Sequence, residues 1–85
     1  MKKTINYRTR GTCSRSIEIV LDGDVVESVT FEGGCDGNTH GIENLVAGMK
    51  VEDVIRRLEG IRCGFKSTSC PDQLALALKS ALEQA

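Results

Sequence analysis

The sequence predicts a small α+β domain, an antiparallel three-stranded sheet with helices packed on one face, and three observations carry that prediction. Apolar residues alternate with polar ones through the first part of the chain. They recur at helical spacing through the remainder, and no repeat, linker or low-complexity tract separates the two parts. Residues 1–85 therefore read as one domain. A chain this short buries roughly 60 to 65 percent of the surface its unfolded form exposes, so its core is modest. With Tyr7, Phe31 and Phe65 as its aromatic side chains, that core is aliphatic.

Residues 4–9 alternate weakly, with Ile5 and Tyr7 against Asn6 and Arg8, and suit an edge strand, which leaves dimerisation open. Residues 16–21 are cleaner: Ile17, Ile19 and Leu21 take one face and Ser16, Glu18 and Val20 the other. Asp22-Gly23-Asp24 supplies turn chemistry. Residues 25–32 follow as a third strand with Val25, Val29 and Phe31 on one side, completing a β-hairpin. Four glycines between Gly33 and Gly41 predict a loop. Behind it, Ile42, Leu45, Val46 and Met49 fall at helical spacing, with Asn38 or Thr39 available as a cap. Val51, Val54, Ile55 and Leu58 form a second helical phase that stops at Gly60, giving two short helices or one broken at Gly48. Its charges predict a solvated face with the i, i+4 pairs Glu52–Arg56 and Asp53–Arg57. Residues 61–69 read as an irregular connector. Pro71 then stands at the first helical position, with Ser69 or Cys70 as cap and Asp72 in the first turn, and Leu74, Leu78, Ala81, Leu82 and Ala85 line one face of a terminal helix.

Eleven basic and twelve acidic side chains nearly cancel, without a basic run or an acidic tail. Nucleic acid and charged membrane surfaces are therefore not expected partners. Met1-Lys2-Lys3-Thr4 leads into a polar alternating segment rather than an apolar stretch, so a secretory signal is not expected and a cytoplasmic location is. In that compartment thiols stay reduced, and four cysteines in a short chain point to metal binding or redox chemistry rather than to two disulfides.

Those cysteines, Cys13, Cys35, Cys63 and Cys70, all fall at the edges of predicted elements, and three sit at corners marked by glycine or proline: Gly33-Gly34-Cys35, Arg62-Cys63-Gly64 and Ser69-Cys70-Pro71. Corners are where a backbone can aim several sulfurs at one point. No Cys-x-x-Cys knuckle is present, so the spacing alone is a weak zinc signal. Local environment strengthens it, because Cys35 and Cys70 each precede a predicted helix and a helix N-terminus favours the thiolate, the metal-binding form. The competing readings are free cysteines acting as small buried hydrophobes, a disulfide such as Cys63–Cys70, and a catalytic thiol served by His40, the single histidine. Nothing else in the chain assembles a catalytic constellation. The glycine-rich segment lacks the lysine and hydroxyl of a phosphate loop.

Thr68-Ser69-Cys70-Pro71-Asp72 resembles the name-giving motif of the TSCPD domain family, and Gly33-Gly34-Cys35-Asp36-Gly37-Asn38 with Gly60-Ile61-Arg62-Cys63-Gly64 resembles its four-cysteine members. The likeness covers nearly the whole of residues 1–85. It implies an accessory domain related to the C-terminal domain of adenosylcobalamin-dependent ribonucleotide reductases. A ribonucleotide reductase or another protein is then the implied partner, and the name ribonucleoside-diphosphate reductase would attach to the chain by kinship alone. More distantly the chain is similar to NifU-like iron–sulfur cluster assembly scaffolds, whose three cysteine ligands match Cys13, Cys35 and Cys70. It departs from them in carrying Arg15 where those scaffolds have aspartate and Ser69 where they have histidine, and Cys63 has no counterpart there. A closed set of four thiolates suits structural zinc, whereas a transfer scaffold keeps an exchangeable position. The expectation is thus a non-catalytic domain binding zinc through Cys13, Cys35, Cys63 and Cys70. An iron–sulfur cluster carrier on the same thiolates is the alternative, and a thiol relay through Cys63 and Cys70 is a further one.

Overall fold

The computed structural model describes residues 2–12, 14–33, 36–61 and 68–83. Three strands, β1 (Lys2–Arg8), β2 (Ser14–Asp22) and β3 (Val25–Gly33), precede three helices, α1 (Asp36–Val46), α2 (Val51–Leu58) and α3 (Cys70–Glu83). The strands form one antiparallel sheet in the order β1-β2-β3, which places β1 at an edge, as the weak alternation of its sequence anticipates. The register sets Ile5 opposite Ile19, and Ile19 opposite Val29. Ile17, Ile19 and Leu21 are buried together, so the period-two reading of β2 holds.

Two irregularities in the β2–β3 ladder re-aim side chains that strict alternation would place elsewhere. Leu21 pairs with Val26 while Val20 pairs with Ser28, which leaves Glu27 as an extra residue. Val26 consequently enters the core fully buried, and Val25, the expected inward residue, is only half-buried. At the other end Ser14 pairs with Gly33 and Ser16 with Glu32, so Arg15 is the extra residue. Alternation alone would put Ser14 on the open face beside Ser16 and Glu18. The bulge turns it inward, where it is buried.

The two edges of the sheet are treated differently. On β3, the Val26 amide donates to the Met49 carbonyl and the Val26 carbonyl accepts from the Gly48 amide, both at 2.8 Å. The Val51 amide reaches the Asp24 carbonyl at 2.8 Å, and the Phe31 amide donates to Glu43 Oε2 at 2.7 Å. The α1–α2 link is thereby sewn to β3, and the helical stretch is two helices separated at Ala47-Gly48. The outer side of β1 carries no paired strand among the described residues.

The helices bury one stripe each, and the side chains differ from expectation at the margins. α1 starts at Asp36, so the predicted glycine loop is helical from that point and Thr39 lies inside the helix, buried, instead of capping it. Glycine permits a loop without requiring one, and the stripe Thr39, Ile42, Val46 carries the helix backward through it. Leu45, expected on that stripe, is 70% exposed. It sits about 100° round the helix from Val46, beyond the face that meets β3. In α2 the expected stripe is observed, with Val51 and Val54 buried and Ile55 and Leu58 packed at its rim. Arg56 pairs with Asp53 at 2.6 Å, an i, i+3 contact in place of the expected i, i+4 pairs. In α3, Leu74, Ala75, Ala77, Leu78 and Ala81 are buried, whereas Leu82 is 48% exposed and Ala85 lies outside the described residues. Alanines at positions 75 and 77 widen the buried face, and Leu82 lies at its border. These faces and the inner faces of β2 and β3 close a single apolar cluster. Among the described residues no helix is long and apolar enough to cross a membrane.

Candidate metal centre at the cysteine corner

Helix α3 begins with a side-chain cap. Ser69 Oγ accepts the Asp72 amide at 3.2 Å, and the Ser69 carbonyl accepts the Gln73 amide at 2.8 Å, the first helical bond. Of the two expected caps Ser69 is therefore the one used, Cys70 is the first helical residue and Pro71 the second. Proline is tolerated there because the amides of the first turn have no intrahelical acceptor. Cys70 is half-buried and packed against the core. Its sulfur lies at the N-terminus of α3. Ser14 Oγ lies 3.3 Å from Cys70 Sγ, and either atom can be the donor.

Ser14 reaches Cys70 because the bulge at Arg15 turns it inward and the β1–β2 corner holds it there. Thr9 Oγ1 donates to the Ser14 carbonyl at 2.6 Å, Thr12 Oγ1 is 3.0 Å from Ser14 Oγ, and the Thr9 amide donates to the Arg15 carbonyl at 3.1 Å. Gly11 has φ +74°, and a Cβ built on it would stand 3.1 Å from Thr68 Cγ2. The corner thus lies close against the residue that opens the Thr-Ser-Cys-Pro-Asp run, and glycine supplies both the positive φ and the room there.

That run is a hydrogen-bond hub. Asp72 Oδ2 accepts from Thr68 Oγ1, and Asp72 Oδ1 accepts the Gly60 amide at 2.7 Å. Ser69 Oγ, besides capping, donates to the Ile61 carbonyl at 2.6 Å. Gln73 donates through Nε2 to Thr68 Oγ1 and accepts the Arg10 amide through Oε1, each at 3.0 Å. Thr68, Ser69, Asp72 and Gln73 are all buried, and among the described residues no buried side-chain nitrogen or oxygen lacks a partner. Buried polar groups on this scale are tolerable only when satisfied, because each orphan would cost about 1–3 kcal/mol. The sequence assigns Asp72 to the helix dipole and, with Thr68, to the Thr-Ser-Cys-Pro-Asp run, and it gives Ser14 and Gln73 no role. The spacing Ser69-x-x-Asp72 is a recognisable cap signal, but Ser14 is hidden by a bulge that no alternation reveals.

Of the four expected ligands, Cys70 is described, and Cys13, Cys35 and Cys63 lie outside the described residues. Among the described residues no three His, Cys, Asp or Glu side chains gather at one point. Described residues near Cys13 and Cys63 touch the start of α3, and one near Cys35 pairs with Ser14. Ser14, next to position 13, touches Cys70 and pairs with Gly33, two positions before Cys35. Ile61, two positions before Cys63, is bonded to Ser69. His40, considered as a base for a catalytic thiol, stands on α1 with its side chain 69% exposed and its Nδ1 3.0 Å from Glu43 Oε1. Glu43 is the same carboxylate that accepts the Phe31 amide.

The architecture defines a class first: a small α+β domain whose cysteine-bearing corner is assembled around a capped helix start. Residues 2–82 of the chain match the family profile described as the TSCPD domain, and the chain belongs to that family. No curated protein and no solved structure matches it.

Proposed function

We propose that this chain is a non-catalytic metal-binding domain in which Cys13, Cys35, Cys63 and Cys70 hold one zinc ion. The observation that carries the reading is the gathering of flanking residues: Ser14 at 3.3 Å from the Cys70 sulfur, Gly33 paired with Ser14, and Ile61 bonded to Ser69. The surroundings of Cys70 suit a ligating sulfur. It has a hydroxyl able to donate to the thiolate, a helix N-terminus beside it and an apolar floor beneath. Four thiolates leave zinc no open position, so the ion would serve stability and not chemistry on a substrate. Kinship with the C-terminal domain of ribonucleotide reductases supports an accessory role beside a larger protein, with such a reductase as the partner class.

Elemental analysis of untagged protein prepared without oxygen tests the reading. Stoichiometric zinc in a colourless protein is expected, and single Cys→Ser changes at the four positions ought to lower metal content and melting temperature together. Visible absorbance with acid-labile sulfide would replace zinc by an iron–sulfur cluster on the same thiolates. A parent without metal, or four serine variants that keep full metal content, would refute metal binding at this corner.

A further inference from the structure

From the hydrogen-bond hub at the start of α3 we infer that Asp72 and Gln73 are positioning residues. They latch the β1–β2 corner and the end of α2 onto the helix that carries Cys70, and so set the affinity of the thiolate site without touching its metal. The inference rests on the metal reading above and extends it to two residues that are not ligands.

Two segments far apart in sequence meet the start of α3 in this latch, and each places one backbone amide on a buried side-chain acceptor. Gln73 Oε1 holds the Arg10 amide across 63 positions, and Asp72 Oδ1 holds the Gly60 amide across 12. Thr68 joins the two acceptors, donating to Asp72 and accepting from Gln73 Nε2. Arg10 lies three positions before Cys13 and Gly60 three before Cys63, so the two amides anchor the approaches to both cysteines. Arg10 lies just past the end of β1 at Arg8, and Gly60 just past the end of α2 at Leu58. Dipole complementarity at a helix start asks only for a carboxylate facing water. Asp72 is instead buried with both oxygens engaged, and its neighbour Gln73 is buried with both amide atoms engaged. Burying two polar side chains beside each other at this place serves attachment of the segments they bind, as outer partners of metal ligands do.

Asp72→Ala removes both carboxylate contacts, and Gln73→Leu removes both amide contacts at similar volume. Asp72→Asn keeps an acceptor for Gly60. Val54→Ala serves as the control, a core lesion in α2 at a residue that makes none of the latch's hydrogen bonds. Zinc affinity of each protein is measured by competition with a chromophoric chelator, under conditions where the metal-free protein is folded. Losses of tenfold or more are expected for Asp72→Ala and Gln73→Leu, the range typical of outer-shell partners. A smaller loss is expected for Asp72→Asn and an unchanged affinity for Val54→Ala despite its lower melting temperature. Equal affinities across the set would overturn the inference. So would a Val54→Ala loss as large as the others, since the effect would then be general destabilisation. Hydrogen exchange on the metal-free proteins gives a readout independent of zinc. The Gly60 amide should lose protection in Asp72→Ala and the Arg10 amide in Gln73→Leu, while the Val26 amide stays protected in both. Unchanged exchange at Gly60 and Arg10 would remove the latch. A parent that binds no zinc would instead refute the metal reading, with exchange still deciding whether the latch exists.

Discussion

Gly11→Ala offers the sharpest test of how the cysteine corner is built, because the structure separates its two costs. The first is conformational: φ is +74°, and the left-handed region costs a residue with a Cβ about 1–2 kcal/mol. Alanine recovers about 0.4–1 kcal/mol of that by restricting the unfolded chain. The second is contact. The new Cβ would stand 3.1 Å from Thr68 Cγ2, and Thr68 cannot swing away, since its hydroxyl is committed to both Asp72 and Gln73. Overpacking of this kind costs about 1–3 kcal/mol. Gly23 isolates the first cost, having φ +64° and no atom within 4 Å of a built Cβ. Gly23→Ala is thus expected to cost about 1 kcal/mol and Gly11→Ala roughly 2 to 3 kcal/mol, summing the same terms. Urea unfolding followed by circular dichroism at constant metal load resolves the gap. With slopes of about 1–3 kcal/mol per molar urea, the two midpoints should differ by roughly half a molar or more. Thr68→Ser then removes the crowding methyl and keeps the hydroxyl. Alone it should cost about 0.8 kcal/mol for the buried methyl, and on the Gly11→Ala background it should be neutral or stabilising. Additivity of the two changes within about 0.5 kcal/mol would refute the close packing of the corner on Thr68.

The remaining predictions address the core and the surface. Leu78→Ala should destabilise the protein by about 2–5 kcal/mol and Leu82→Ala by less than about 0.5, read from the same urea curves, since Leu78 is fully buried and Leu82 is not. Val26→Ala should cost about 2 kcal/mol and clearly more than Val25→Ala, and the reverse order would contradict the bulge at Glu27. The Lys2 ammonium is held above its ordinary value of 10.5 by its hydrogen bond to Glu27 and by the same carboxylate's charge. A raised folded-state value means this contribution is fully present below pH 10.5 and lost as pH rises through the folded value. Because the pair is exposed and screened by salt, Lys2→Met should match the parent in stability at 1 M salt at any pH.

Local patterns carried most of the fold. Ile17, Ile19 and Leu21 announce a half-buried strand because side chains alternate with a period of two, and Val51, Val54 and Leu58 announce a helix because they share one face at 3.6 residues per turn. Asp22-Gly23-Asp24 between two alternating runs marks the hairpin. The misses share a cause. Val25 is expected inward by extending a period through a position where one residue is inserted, and Ser14, before the first alternating residue, lies beyond a second insertion. A bulge depends on the partner strand, not on the strand's own residues. Helical spacing puts Leu45 and Leu82 on apolar stripes, yet which flank of a stripe is covered depends on how the helix rolls against its neighbours. The glycines from Gly33 to Gly41 predict a loop, yet the downstream helix extends back to Asp36.

The amino-acid sequence by itself determined the class of fold, the order of its elements, the edge position of β1 and the family to which the chain belongs. Each follows from short-range periodicity or from a contiguous motif. Tertiary structure alone decided that Ser14 faces Cys70, that Gly11 presses on Thr68, and that Asp72 and Gln73 tie Gly60 and Arg10 to the start of α3. Those contacts join residues 12 to 63 positions apart, and nothing local specifies them. They exist because sheet and helices, once packed on a common core, bring the β1–β2 corner and the end of α2 to the start of α3, where buried polar groups must find partners in each other.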